Sequence, residues 1–290
     1  MLCRGSFCTS WARARTILPS LCVTTFVFPA MSRLFRSLAC SLVAALTAGA
    51  AGAQEASCQP LYLMVATGDM HNARQIAQVL QRTKVPATFF AGNSPTDEGE
   101  AALSRHWGDW WRQIADDGHA MAVQPWDLPL LRGDLPPRRG GGFLVKVQTG
   151  VRAGKDYTWD KDKYCDALDE ASRWMNFYSG QDALPLFHAP AGAVSPKLEK
   201  VARACGYVHV PWPAHFISAE NVQSGATLLT HLGAQPGQSA EDAAKSLTQT
   251  LESLKGQGFC FKTLAEHPDY QQWVKQRQAA KSKPEGEGSN

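Results

Sequence analysis

The sequence predicts an α/β fold, a (β/α)7-type barrel, on three observations. Short apolar runs alternate with amphipathic stretches of about ten to fifteen residues, the pattern of βα units on a parallel sheet. About seven such units follow one another, which favours a curled barrel over an open sheet. Some 237 residues lie beyond position 53, enough for one large domain with its own core.

The chain begins with targeting features. From Met31 a basic Ser32-Arg33-Leu34-Phe35-Arg36 precedes an apolar stretch, Leu38 to Leu46, and a small-residue end at Ala51-Gly52-Ala53. That order predicts a cleaved signal over 31–53, a mature N-terminus at Gln54 and a periplasmic or secreted product. The apolar run is shorter than the ~20 residues of a spanning helix, so no stable membrane anchor is expected after cleavage. Residues 1–30 are read as an N-terminal extension preceding the true start at Met31.

Charge and cysteines follow from that division. The chain has 29 Lys and Arg against 26 Asp and Glu, but five arginines and no acid fall in 1–53. The remainder is slightly acidic, so the basic balance belongs to the targeting segment and nucleic acid is not expected as a partner. Cys58, Cys165, Cys205 and Cys260 remain; in an oxidising compartment they permit two disulfides in any of three pairings.

The elements run in order. Leu61–Thr67 is a buried strand, Asn72–Thr83 a helix with Ile76, Val79 and Leu80 on one face, and Pro86–Ala91 a second strand. Glu98–Asp117 reads as a helix bearing Trp107, Trp110 and Trp111, expected to pack in the core, and 119–123 as the third strand. Residues 129–160, rich in Pro, Gly and Arg, read as a loop insertion with one hairpin at most. Alternation resumes with helix 163–179, strand 185–188, helix 195–205, strands 207–212 and 227–231, helix 240–255 and strand 258–264. The domain is expected to span 54–272, with 273–290 a disordered tail. In such barrels the chemistry sits at the C-terminal strand ends. Those ends carry Asp69, Gln124 to Asp127, His188 to Gly192, Trp212 and His231.

Six segments then resemble, in order, those of the polysaccharide deacetylase family, the NodB-homology domains of carbohydrate esterase family 4. Val85-Pro-Ala-Thr-Phe-Phe90 is similar to its vkATFF strand, and Asp117 to Trp126 to its GHEIgnHtW segment. His188-Ala-Pro-Ala-Gly192 stands where the family has RxPxG. Gly206-Tyr207 with Trp212, Leu228-Leu-Thr-His231 and Leu254 to Leu264 are similar to the remaining motifs. The resemblance covers residues 60–267 and implies a distorted barrel of the NodB kind, acting on N-acetylated glycan.

The resemblance also implies a divalent metal held by one Asp and the two histidines of an HxxxH pair, with a neighbouring Asp as base and a last-motif His as acid. The paired aspartates fall near Thr67 and Gly68, leaving Asp69 one residue out of register. The two histidines become Gln124 and Leu128, the motif Arg becomes His188, and only His231 keeps its identity.

Three functional readings stay open. In the first, the protein binds N-acetylated glycan with hydrolysis weak or lost, using Trp126, Trp212, Pro190 and Gly192. In the second, zinc or a similar metal occupies a site rebuilt from Asp69, His71, Gln124 and Asp127, and Asp69, His188 and His231 carry catalysis. In the third, it is a structural envelope protein whose 129–160 segment is the contact surface.

Overall fold

The structure is a computed structural model that describes residues 58–213 and 217–281. The expected extension, signal and cleavage point lie outside the described residues, as does His215.

One seven-stranded sheet forms the scaffold. Its strands are β1 (Gln59–Ala66), β2 (Thr88–Ala91), β3 (Ala120–Val123), β7 (Leu186–Phe187), β8 (Val208–His209), β9 (Thr227–His231) and β10 (Phe259–Lys262). They order as β10-β1-β2-β3-β7-β8, and every ladder is parallel. The lower half of β1 pairs β10 and its upper half pairs β9, with Ala66 opposite His231. Among the described residues no ladder joins β8 to β9, so the sheet curls without closing. Pro211 and Pro213 lack the N–H that would extend β8, which is the physical reason pairing stops there.

Side chains alternate between two cores. Leu61, Leu63, Val65, Phe89, Met121 and Val123 face the helices α1 (Ala73–Thr83), α2 (Gly108–Asp116) and α3 (Lys161–Ser179). Trp107 and Trp111 are buried in this layer, as expected, with Trp111 edge-on to Phe89. Tyr62, Met64, Phe90, Leu186, Val208 and Leu229 fill the interior of the curl. Helix starts are where the sequence supplies caps: Asp160 for α3, Ser195 for α4 (Pro196–Ala204) and Ser239 for α5 (Ala240–Gly256).

Three expectations are corrected. The predicted helix over 98–117 begins only at Gly108, after a single 3-10 turn, because 94–104 is a loop bonded to itself through Ala102 N–H to Ser94 O. The 129–160 insertion is a three-stranded antiparallel meander, β4 (Pro129–Asp134), β5 (Phe143–Val147) and β6 (Asp156–Trp159). Phe143, Val145 and Val147 point inward at period two, and the Lys197 ammonium pins its glycine-rich turn through the carbonyls of Leu135, Gly141 and Gly142. Third, the tail from 273 contains helix α6 (Gln271–Lys281), because Tyr270 and Val274, four residues apart, plug the inner core. The cysteines pair as Cys58–Cys260 and Cys165–Cys205, the latter tying α3 to the end of α4.

Candidate functional site at the barrel mouth

Period-two alternation carries the inner face past each strand end, to Gln124, His188, Trp212 and His231. These four positions are the mouth of the curl.

His188 sits deepest and is fully buried. Its Nδ1 lies 3.0 Å from the Val210 carbonyl, so Nδ1–H donates there and Nε2 is left as a buried, unpartnered acceptor. Burial pushes its proton affinity down, against the opposing pull of the Val210 carbonyl. Trp212 lies over it, with ring centroids 4.9 Å apart. Gly192, at φ 66°, fits under Trp212, whose Cβ would lie 3.1 Å from an added Cβ. Pro190 is buried in the turn that places this glycine. The neighbouring His209 faces the helices and is pushed down to about 4, first by burial and then by His188, with Glu199 opposing.

His231 ends β9 and accepts from the Gln235 side-chain amide at 2.8 Å. Burial lowers its proton affinity, while the Gly233 backbone and the Asp69 charge oppose. Asp69 Oδ1 accepts from the backbone N–H groups of Ala234 at 2.9 Å and His71 at 3.1 Å, so it ties the β1 loop to the β9 loop. Gly68 and Gly233 cross there with no room for a Cβ between them.

The other sequence candidates separate from this group. Asp127 does not join the mouth: its Oδ1 accepts from the Asn93 amide at 2.7 Å, and Asn93 Oδ1 accepts from the Asp127 N–H at 2.6 Å. Arg152 and Thr149 complete this junction between the β2 loop, the β3 loop and the meander. His71 is exposed and bonded to Asp97 at 2.7 Å. Gln124 and Leu128 are brought together by a turn rather than a helix. Gln124 Cβ and Leu128 Cδ2 lie 3.4 and 3.1 Å from the position of a Cβ on Gly92.

The donor chemistry therefore does not fit the divalent metal that the resemblance implies. One of the paired positions presents a hydrocarbon and the other an amide, and Asp69 and Asp127 are engaged elsewhere. Among the described residues no group of three or more His, Cys, Asp or Glu is arranged to hold a metal ion.

Trp126 also leaves the mouth. Its backbone N–H donates to Ala167 O on α3, and its ring stacks on Trp174, which stacks in turn on Tyr178. The sequence reading missed Asn93, Trp174 and Tyr178. A Trp and a Tyr one turn apart on the polar side of an amphipathic helix was the available signal.

Fold and site together define a curled, parallel α/β barrel with a cluster of polar and aromatic side chains at its strand ends. The family model for polysaccharide deacetylase matches residues 53–210, and the chain belongs to that family. No curated protein matches it. Among solved structures, a peptidoglycan N-acetylglucosamine deacetylase is 19% identical, with a TM-score of 0.54 over 73% of this chain and 88% of its own. A CE4 family pseudoenzyme from Bacillus anthracis is 15% identical at TM-score 0.52, covering 73% and 66% of the two chains. PdaA of Bacillus subtilis, a family 4 carbohydrate esterase, is 16% identical at 0.52, covering 73% and 82%. At these identities the likeness is one of fold.

Proposed function

We propose that this protein is an exported, non-hydrolysing member of its family that binds N-acetylated glycan at the barrel mouth. The observation that carries the reading is the pair Gln124 and Leu128, which meet beside Gly92 without a ligating nitrogen. A catalytic zinc site needs about three protein ligands, so water activation in the family manner has no support here. What remains suits binding: the Trp212 face beside Gly192 offers an apolar surface to a sugar ring, and the half-buried His231 with the exposed Gln235 offers hydrogen bonds. The existence of a CE4 pseudoenzyme with the same fold supports the reading.

The test combines elemental analysis, acetate release from N-acetylated oligosaccharides and a binding titration. Expected are no stoichiometric metal, no acetate, and sugar affinity weakened in Trp212→Ala. One bound metal per chain with turnover lost in His188→Ala would overturn it. Export predicts a secreted chain whose first residue is Gln54, read by N-terminal sequencing.

A further inference from the structure

The meander is charged unlike the rest of the chain. Residues 129–159 hold six cations, Arg132, Arg138, Arg139, Lys146, Arg152 and Lys155, against Asp134 and Asp156. The remaining described residues have more acids than bases. Arg152 is taken up by Asp127 at 3.5 Å and lies over the Tyr157 ring. The other five cations are exposed, and among the described residues none of them makes an ion pair or a side-chain hydrogen bond. Asp134 accepts from the Ser195 hydroxyl at 2.7 Å.

Strand register places these groups. Phe143, Val145 and Val147 turn into the core, so Leu144 and Lys146 face solvent, with Leu130 and Asp156 directly beside Lys146. Arg132 stands in the bulge of β4, between Leu131 and Gly133. Arg138 and Arg139 occupy the turn at one end of β5, and Lys155 closes the turn at the other. Five strand residues span ~17 Å, so the cations follow the length of the meander instead of gathering at one point. The backbone beneath them is fixed. Lys197 holds the 135–142 turn, while Asn93 and Asp127 hold Gln148 and Thr149. β4 also runs against the 190–192 turn, whose Gly192 lies beneath Trp212, so its edge adjoins the mouth.

We infer that the outer face of the meander binds an acidic polysaccharide, whose carboxylates pair with Arg132, Arg138, Arg139, Lys146 and Lys155. That the polyanion is a glycan rests on the reading above; that it is an anion rests on the charge of this face alone. Five cations on one small sheet repel one another, and a chain of carboxylates laid along it relieves that repulsion. A fixed backbone lowers the ordering cost of such a contact. An anionic bilayer would attract the same charges, but stable binding there also draws on buried apolar groups. Among the described residues this face exposes Leu144 and Val151 as its large apolar side chains and no aromatic ring.

The experiment titrates the full chain, at low ionic strength, with a galacturonate oligomer and with a β-1,4-linked N-acetylglucosamine oligomer of equal length. The galacturonate oligomer is expected to bind, to weaken steeply with added salt, and to lose about tenfold in affinity in the double variant Arg138→Gln, Arg139→Gln. The neutral oligomer is expected to ignore that variant and to weaken in Trp212→Ala. Both arginines are exposed, and an unchanged melting temperature checks that the double variant is folded. No galacturonate binding, or binding that survives the arginine changes and Lys146→Gln, overturns the inference and leaves the mouth reading standing. Arginine-dependent galacturonate binding without any neutral-oligomer binding supports this inference and sinks the mouth reading. Capture by phosphatidylglycerol vesicles that Val151→Ser abolishes, with no galacturonate binding, would assign the face to a membrane surface and overturn the proposal.

Discussion

The barrel mouth and the α3 flank treat aromatic and polar side chains in opposite ways. At the mouth, His188 is sealed beneath Trp212 and left with a buried, unpartnered nitrogen. On the flank, Trp174 and Phe177 are open, and the polar groups nearby are bonded in pairs. Beside it, the hydrocarbon of Leu128 and the side chain of Gln124 meet next to Gly92. The difference is one of position: the outer core between sheet and helices contains none of Gln124, His188, Trp212 and His231, so the flank is packed independently of the mouth.

Four measurements sharpen or break the contrast. The largest effect is expected at Cys165–Cys205, which ties α3 to the end of α4. Replacing both cysteines with Ser should cost about 2–5 kcal/mol in denaturant melts; an unchanged midpoint would show that the flank holds itself in place.

Acid comes second. Burial pushes His119 and His209 down to about 4 from an ordinary 6.5. Between those values the unfolded chain binds more protons than the folded one, so this stability is complete above ~6.5 and lost as pH falls toward 4. Each histidine contributes up to about 3 kcal/mol. His119 Nδ1 accepts from the Ala87 N–H, a bond that protonation there breaks. The melting temperature should therefore drop between pH 6.5 and 4, with a shallower slope in His209→Asn; a flat profile would refute neutral buried imidazoles at these two positions.

Third, Asp127→Ala removes the acceptor that joins Asn93 and Arg152 to the meander and places alanine at φ 63°. A loss of about 1–3 kcal/mol is expected, with faster amide exchange at 148–150 and most of the loss recovered in Asp127→Asn. Equal cost in both variants would argue against a backbone contribution. The smallest effect belongs to Phe177→Ser, within about 0.5 kcal/mol in stability, since the ring is exposed. A larger cost would mean that the flank aromatics are structural.

Much of the architecture was legible because its signals are local. Leu61 to Thr67 reads as a buried strand from its unbroken apolar run, and Ser195-Pro196 announces a helix start. The meander was misread because Pro136 to Gly142 dominates its composition, while the Phe143-Val145-Val147 alternation is short. The tail was misread for a similar reason: Val274, and Tyr270 just before the tail, are buried but sit in polar surroundings along the sequence.

The site divided along the same line. By itself the sequence determined that Gln and Leu stand at 124 and 128, and that apolar period two and period 3.6 alternate as in a parallel barrel. Only the tertiary structure decided which strand-end residues share the mouth, since that depends on where loops from different strands meet. Asp69 and His231 converge through the 231–234 crossing, whereas Asp127 and Trp126 turn outward to Asn93 and α3. Periodicity assigns a side chain to a face, but a turn of five residues, here 124–128, can reverse that assignment at the last step, and its direction is set by what it packs against.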